Sequence, residues 1–351
     1  MLYRTRIQTL LQTETIGAFL ITSPENMYYF SGFTGGEGAL FIDKHNRKLF
    51  TDSRYTVQAK EESPDFDIID TADTPVSQML ATLGDTPVGF EDAYATFAFF
   101  LALKKKVPAL SLIPASEILN RVRMIKDTSE LAAIETAAKI ADEAYAYILP
   151  RIAPGKTEKE IALDLEFFMR KNGAEGLSFE TIAASGVRSS MPHGAASDKI
   201  IEKNELFTLD FGCKYKGYCS DMTRTVVVGK ANDTQKEIYE TVLSAQKAAL
   251  SAIRSGVLCK DMDAVARNII KDAGYGDYFG HGLGHSVGLM VHEKPNLSPR
   301  SEDTLVPNVP VTVEPGIYID GFGGVRIEDL VVVTETGCRN LVTAPKELIE
   351  L

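Results

Sequence analysis

Residues 207–212 read FTLDFG, and residues 311–316 read VTVEPG, a similar strand-like run that ends in an acid, one further residue and a glycine. Each stretch is followed by a second acid and then by a short run of valines. That second acid is Asp221 in the first case and Glu328 in the second. Because the same order of elements occurs twice, we infer two related halves, each built on a pair of strands joined by a turn.

Helices precede both stretches in the same order. A helix predicted at 157–172 begins with Thr157 and Glu160, which have the spacing of a capping box, and ends at Gly173. The other helices predicted from apolar residues at helical period lie at 128–149, 234–254 and 261–273. Together with the repeat they assign residues 124–351 to one domain.

The first third of the chain has a different pattern, in which short apolar stretches alternate with helical segments. The predicted strands lie at 17–22, 38–43, 47–52, 66–71 and 87–91, and the predicted helices at 53–62, 75–83 and 93–106. We place a domain boundary near residue 123. The predicted fold class is α/β (α+β), with domains at 1–123 and 124–351.

Composition excludes several classes of protein. The chain has 351 residues and a formal net charge of −11, from 37 Lys and Arg against 48 Asp and Glu, so we expect no nucleic-acid partner. Hydrophobic residues make up 44% and charged residues 24%, as in ordinary globular proteins. The longest nearly unbroken apolar stretch, 93–103, is too short for a membrane helix, and the N-terminus has no signal-peptide pattern. We expect a cytoplasmic protein with reduced cysteines and no membrane partner.

Four acids occupy matching places in the two predicted strand pairs, among apolar neighbours: Asp210 and Asp221 around a turn at 215–216, and Glu314 and Glu328 around Gly321. In a regular hairpin the members of each pair would be cross-strand neighbours, where like charges repel. Carboxylates buried among apolar residues are costly unless a cation compensates them. Two such pairs in one domain therefore predict a cation between them.

Imidazole ligands for such a cation are few, because the chain has five histidines. Three of them, His281, His285 and His292, lie close together in the sequence. Four carboxylates carry a charge of −4, which two divalent ions would neutralise, and a pair of ions would form a hydrolytic site. Alternatives stay open for the individual motifs. A single acid can be a solvated strand end, and the glycine-rich run 280–288 can be an anion-binding loop, although it lacks the lysine of a P-loop.

These residues resemble the pita-bread metallopeptidases, in particular the Xaa-Pro peptidases (aminopeptidase P and prolidase). The resemblance spans about 124–345 and is carried by LDFG at 209–212, YCSDMTRT at 218–225, HGLGH at 281–285, VHE at 291–293, EPGIY at 314–318 and RIED at 326–329. Residues 1–123, with YFSGF at 29–33 and FTDSRY at 50–55, resemble the creatinase-type N-terminal domain of the same family.

The resemblance implies two divalent metal ions, Mn or Co, with Zn or Fe as alternatives. It implies that Asp221 and Glu328 bridge the ions, that Asp210 chelates one of them, and that His285 and Glu314 bind the other. It also implies a homodimer.

The resemblance assigns roles in catalysis as well. Glu314 would take a proton from the attacking water, and His292 would hydrogen-bond the scissile carbonyl oxygen. The pocket for the substrate proline would be lined by His193, His281 and Arg326, which would also help to hold the bridging carboxylate.

The predicted function is hydrolysis of the bond between an N-terminal residue and a following proline, by an Xaa-Pro aminopeptidase that also accepts Xaa-Pro dipeptides. A dipeptidase must hold a free carboxylate, for which Arg188 and Arg300 are candidates, whereas Asn296 after His292 is neutral. The alternatives are a catalytically silent peptide-binding module of the same fold, a methionyl-type aminopeptidase and a dinuclear phosphoesterase.

Overall fold

A computed structural model of the chain describes residues 2–12 and 15–351. The chain forms two compact units, Met1–Arg123 and Met124–Leu351. None of the described helices is long and apolar enough to cross a membrane.

The first unit is built on a six-stranded mixed sheet. Its elements are α1 (Leu2–Leu10), β1 (Ala18–Ile21), α2 (Pro24–Ser31), β2 (Ala39–Asp43), β3 (Arg47–Thr51), α3 (Thr56–Glu62), β4 (Asp67–Asp70), α4 (Val76–Ala81), β5 (Val88–Phe90), α5 (Phe97–Lys106), β6 (Leu112–Pro114) and α6 (Ser116–Met124). The strand order is β4-β3-β2-β1-β5-β6, and the central strand β1 is buried along its whole length. Every strand predicted in this unit is present, within one or two residues at each end.

Three helices in this unit, α1, α2 and α6, and the strand β6 were not predicted from the sequence. Of these, α2 carries a recognisable start signal. The Ser23 side chain accepts a hydrogen bond from the Asn26 backbone N–H, and a proline stands in the first turn. A serine followed by Pro24 and an acid is a regular helix-start pattern. The apolar run 17–22 was predicted as a strand, and the helix-start signal at Ser23, directly after that strand, was not recognised.

The second unit contains the predicted repeat. Its elements are α7 (Thr128–Ile148), α8 (Glu158–Lys171), β7 (Gly176–Leu177), β8 (Ile182–Ser185), β9 (Glu205–Phe211), β10 (Cys213–Tyr215), β11 (Tyr218–Cys219), β12 (Met222–Val228), α9 (Asp233–Ala252), α10 (Cys259–Asp272), β13 (Gly284–Ser286), β14 (Glu293–Leu297), β15 (Pro310–Val313), β16 (Gly316–Ile319), β17 (Gly323–Arg326), β18 (Asp329–Val333) and β19 (Cys338–Asn340). The four predicted helices correspond to α7, α8, α9 and α10. The capping box of Thr157 and Glu160 is present, with hydrogen bonds in both directions.

The first strand pair differs from its predicted register. Strands β9 and β12 place Asp210 opposite Thr223, and not opposite Asp221 as expected. The turn is centred one residue later than predicted, because Lys216 and Gly217 both adopt positive φ, at 48° and 77°. A two-residue turn of this kind suits a glycine in its second position. Moving the centre by one residue moves each cross-strand partner by two, so Asp221 remains on the same face as expected and lies diagonal to Asp210.

The second strand pair keeps its predicted symmetry about Gly321, whose φ is 73°. Strands β15 and β18 pair Val313 with Asp329, and β16 and β17 pair Gly316 with Arg326 in the same register. Glu314 and Glu328 lie between these two pairings, and the common register sets them opposite each other. Strand β17 also contacts β9 and β12, which brings the two acid pairs to one place.

Candidate metal centre

Three acceptor groups from both halves of the repeat converge in the second unit. One ligand atom each from Asp221, His285 and Glu328 lie within 4.8 Å of one another. The Glu314 carboxylate borders this group, since its Oε1 lies 3.3 Å from His285 Nε2. Asp210 is buried as well, and its Oδ2 accepts a hydrogen bond of 2.6 Å from Arg326. All five predicted ligands therefore lie in one buried cluster.

The orientation of the His285 ring indicates what the cluster binds. Its Nδ1 faces the carbonyl oxygen of Ser286 at 3.2 Å, an arrangement in which Nδ1 carries the proton. Nε2 then faces two carboxylates, at 3.3 Å from Glu314 and 3.6 Å from Asp221. A neutral ring would set acceptor against acceptor, so a cation must lie between them. Without a metal ion that cation is a second proton on His285, because burial lowers the pKa of His285 but the hydrogen bond and charge of Glu314 outweigh it and raise the pKa. A bound metal ion would take the place of this proton. A second hydrogen bond that fixes the tautomer of a histidine is a usual feature of metal ligands.

Three carboxylate oxygens in the cluster lack partners among the described residues, and all are buried: Asp210 Oδ1, Asp221 Oδ1 and Glu328 Oε1. Burial, with the nearby charges of Glu328 and Asp210, raises the pKa of Asp221 well above its ordinary value. Burial, with the charges of Glu314 and Asp210, does the same to the pKa of Glu328. A bound cation would satisfy these oxygens and remove the repulsion that raises the pKa values. The donor set therefore fits hard divalent ions.

Glu314 has a different environment from the other acids. Burial opposes its ionisation, but the hydrogen bond and positive charge of His285 outweigh burial and lower the pKa of Glu314 to about 2. Its Oε1 also accepts a hydrogen bond of 3.2 Å from Thr312 Oγ1. Glu314 is therefore an ionised carboxylate at neutral pH.

Arg326 is the centre of a buried hydrogen-bond network beside the acids. It donates to Asp210 from Nη2, to Thr223 Oγ1 from Nε at 3.1 Å, and to the Tyr318 hydroxyl from Nη1 at 2.8 Å. The Thr223 hydroxyl in turn donates a hydrogen bond to Glu328 Oε2 at 2.7 Å. Arg326 thus fixes one carboxylate directly and a second through a threonine, so that the remaining oxygen of each stays open to a ligand.

The same network fixes His281. Its Nδ1 lies 2.8 Å from the Gly282 carbonyl oxygen, and its Nε2 lies 2.8 Å from the Tyr318 hydroxyl. The carbonyl requires a proton on Nδ1, so Nε2 accepts from Tyr318. Burial lowers the pKa of His281, which agrees with a neutral ring. Both nitrogens of His281 therefore form hydrogen bonds within the protein, which leaves the ring face for contact with a substrate.

A cavity of about 1150 Å³ opens onto this cluster. All nine residues proposed from the sequence line it: His193, Asp210, Asp221, His281, His285, His292, Glu314, Arg326 and Glu328. Asn296 also lines it, whereas Arg188 and Arg300, the two carboxylate-binding candidates, are not among the lining residues. The Arg188 guanidinium instead pairs with buried Glu158 at 3.0 Å.

Comparison with known proteins identifies the family. Residues 4–125 match the creatinase/prolidase N-terminal domain, and residues 132–335 match metallopeptidase family M24. The chain belongs to metallopeptidase family M24. The resemblance inferred from the sequence, the fold class and the assignment as a metallopeptidase are thereby confirmed.

Relatives of this M24 chain match it along nearly its whole length. The Xaa-Pro dipeptidase of Pyrococcus horikoshii is 40% identical over 352 residues, which covers 98% of this chain and 97% of that protein. The structure of an Xaa-Pro dipeptidase from Bacillus anthracis has a TM-score of 0.95 and 42% identity, over 99% of this chain and 100% of the other. The structure of an X-Pro aminopeptidase from Thermotoga maritima has a TM-score of 0.92 and 42% identity, over 99% of each chain.

Two residues of the M24 chain that hold the acids in place, Tyr318 and Thr223, were not predicted from the sequence to have a role. Tyr318 lies within the quoted EPGIY motif, but an aromatic residue at a strand end carries no signal for a hydrogen bond to Arg326. Thr223 is opposite Asp210 in the sheet, and the register error of the first strand pair concealed it. Correct placement of the turn at Lys216 and Gly217 would have found Thr223 from the sequence.

Proposed function

We propose that this chain is a dinuclear metal-dependent exopeptidase that hydrolyses the bond between an N-terminal residue and a following proline. The observation that carries the proposal is the group of Asp221, His285 and Glu328, whose ligand atoms lie within 4.8 Å of one another. Both carboxylates of this group also have a buried oxygen without a hydrogen-bond partner among the described residues. The relatives described above, two Xaa-Pro dipeptidases and an X-Pro aminopeptidase, support the substrate class.

The charges of the cluster support two ions. Four carboxylates face one guanidinium, that of Arg326, which the count from the sequence had left out. One divalent ion would leave the buried group negative. Two ions would leave it slightly positive, which suits the negative charge that develops on a scissile carbonyl oxygen. In this proposal Asp221 and Glu328 would hold both ions, Asp210 would complete one site, and His285 with Glu314 would complete the other. The ions are Mn or Co, with Zn or Fe as alternatives.

Ions bound there would acidify the attacking water and stabilise the developing oxyanion. The ionised Glu314 carboxylate then accepts the proton of that water and delivers it to the leaving proline nitrogen. His292 faces the cavity, and burial together with the charge of His285 lowers the pKa of His292. A neutral His292 can donate an N–H to the scissile carbonyl oxygen. The proline ring packs against the pocket formed by His193 and the face of His281, behind which Arg326 holds the acids.

Two classes of substrate fit the proposal, Xaa-Pro dipeptides and longer peptides that begin with Xaa-Pro. The relatives favour Xaa-Pro dipeptides, and we propose dipeptidase activity on that basis. The cavity supplies an observation for longer peptides as a second candidate. Among the described lining residues Arg326 is the sole Lys or Arg, and its guanidinium is already hydrogen-bonded to three protein groups. A site with no further guanidinium or ammonium group has less to fix a substrate carboxylate, and more room for a continuing chain.

The testing experiment compares Ala-Pro with Ala-Pro-Ala. The protein is stripped with a chelator, dialysed and reloaded with Mn or Co, and free alanine is measured. We expect hydrolysis only after reloading, and the ratio of the two rates assigns the preferred length. Glu328→Gln protein prepared in parallel serves as a control for contaminating peptidases. Failure of the reloaded protein to cleave either peptide would reject the proposal and favour a silent peptide-binding module. Cytoplasmic location and a homodimer stay predictions.

A further inference from the structure

A buried lysine at the start of the second unit contacts the segment that carries two of the site histidines. Lys126 Nζ lies 3.1 Å from Glu293 Oε2 and 3.4 Å from Ser286 Oγ. The side chains of Lys126 and Glu293 are only 1% and 7% exposed. The backbone of Lys126 is anchored too, because its N–H donates to the carbonyl oxygen of Asn308 at 3.0 Å. An ion pair this deeply buried is unusual and calls for an explanation.

The two partners of Lys126 are the chain neighbours of candidate site residues. Ser286 follows His285, and Glu293 follows His292. Ser286 and Glu293 are also paired across β13 and β14, where the register shifts. Lys126 therefore holds both ends of the connection between residues 286 and 293, at the point where the regular ladder is interrupted.

Glu293 also organises the interior of that connection. Its Oε1 accepts a hydrogen bond from the Met290 N–H at 3.2 Å. A Cβ placed on Gly288 would lie 2.5 Å from both carboxylate oxygens of Glu293, so the carboxylate is packed directly against the loop backbone. At the end of this loop the His292 ring meets the His285 ring edge to face, with centroids 4.5 Å apart. The position of the Glu293 carboxylate thus determines where the loop delivers His292.

Stability is a poor reason for such a pair. A buried ion pair gains about as much from attraction as it loses through desolvation, so its replacement by neutral groups of similar shape is often neutral for folding. Its directional geometry cannot be replaced in the same way. We propose that Lys126 is a positioning residue for His292, acting through Glu293, and that the pair sets the contact between His292 and His285. The expected effect on turnover rests on the proposed peptidase function, whereas the effect on the ring contact does not.

The experiment compares Lys126→Met, Glu293→Gln and the double variant with the parent protein. In metal-free protein, the nuclear Overhauser effect between the ring protons of His285 and His292 reports their contact, with assignments from His292→Ala protein. We expect the double variant to keep a Tm within a few degrees of the parent and to lose this effect. With metal restored, kcat should fall by about 10- to 100-fold, with KM changing far less, as for other residues that orient a site group.

Lys126→Met alone should also lower the Tm, because it removes the lysine charge that faces the buried Glu293 carboxylate at 3.1 Å. Lys199 and Glu205, which form a less buried ion pair at 2.8 Å in the same unit, provide the matched control. Lys199→Met/Glu205→Gln should keep both the ring contact and kcat. A double variant of Lys126 and Glu293 that retains the ring contact and the kcat of the parent overturns the proposal. If the double variant does not fold, the ring contact and kcat of the Glu293→Gln protein test the proposal instead. If the parent is inactive on both peptides, the proposed function fails, while the ring contact still tests the positioning role.

Discussion

Two acids in the cluster, Glu328 and Asp210, each have one oxygen held by the protein and one left open. In Glu328, Oε2 accepts the hydroxyl hydrogen of Thr223, and Oε1 is buried without a partner among the described residues. Asp210 follows the same pattern, with Arg326 on one oxygen. Because the protein half of each carboxylate is fixed, the open half is pre-oriented toward the centre of the cluster. This division is what a metal ligand requires, and a merely structural carboxylate would have both oxygens satisfied.

Glu328→Gln tests this division. The amide oxygen would still accept from Thr223, which places the NH2 group where the open oxygen was, directed at the cation. We expect the variant to fold, to lose bound metal measured by atomic absorption, and to lose peptidase activity. Glu205, which accepts a hydrogen bond from Lys199 at 2.8 Å, offers a matched control outside the cluster. Glu205→Gln should retain metal, and a Glu328→Gln protein with full metal content would contradict the assignment.

His292 lines the cavity as the acids do, but its ring packs against the candidate ligand His285 without belonging to the group of donor atoms. We expect His292→Ala to keep the metal content of the parent and to lose kcat by about 100-fold or more, as when an oxyanion donor is removed. Metal analysis and steady-state kinetics on the same sample check this result. Turnover at the parental rate would remove His292 from the mechanism.

At the level of elements, close approach of strands positions the ligands. Strand β13 runs beside β15, and a Cβ added at Gly284 would collide with the carbonyl oxygen of Thr312. Thr312 Oγ1 in turn accepts from the His285 N–H at 3.0 Å and donates to Glu314. One threonine thus links the imidazole and carboxylate ligands of the second predicted metal site, and Gly284 allows the strands to come close enough for it.

Gly284→Ala should separate these strands. We expect a loss of stability of about 1–3 kcal/mol, as for other overpacked sites, together with weaker metal binding because His285 is displaced from Glu314. Gly280→Ala is the matched control, since a Cβ there meets nothing within 4 Å and its backbone is not in the positive-φ region. Urea unfolding measures the stability of both variants, and metal titration measures their affinity. Equal metal affinity in the two would show that close strand approach does not position His285.

The elements also show where sequence reasoning succeeds and where it stops. Helix caps at Thr157 and the turn about Gly321 depend on local chemistry, so their positions could be predicted. The first turn was placed one residue early, and that small error exchanged Thr223 for Asp221 as the partner of Asp210. Cross-strand pairing multiplies a local error by two, so register is less predictable than the existence of a strand.

For the molecule as a whole, the internal repeat was the feature that grouped the four acids. These acids lie far apart in the chain, but each has a counterpart in the other half. The resemblance to the pita-bread metallopeptidases supplied the roles of the histidines and of Arg326, and all nine residues line one cavity. Residues that only support these nine were missed. Lys126 and Tyr318 act through contacts made only after folding, and no local pattern in the sequence predicts those contacts. Site residues that recur in both halves can be predicted from the sequence. The side-chain contacts that hold those residues in place form only in the folded chain and cannot be predicted in this way.

Metal binding should therefore be linked to the stability of the whole chain. The unfolded chain cannot assemble ligands from both halves, so ions bind the folded state selectively. At 100 times its Kd an ion adds about 2.7 kcal/mol to the free energy of unfolding, which corresponds to a rise in Tm of roughly 4–6 °C. Scanning calorimetry of stripped protein across a Mn titration measures this rise.

Asp221→Asn provides the decisive comparison in that titration. Without metal, Asp221 is a buried carboxylate whose pKa is raised by burial and by its acidic neighbours, so its charge opposes folding. The variant should therefore melt no lower than the stripped parent, because it removes that unfavourable charge. With metal, it should gain less stability than the parent, because a shared ligand is lost. A variant whose Tm rises with Mn as steeply as that of the parent would show that the ions bind elsewhere, since the same carboxylate that destabilises the empty cluster must account for its affinity.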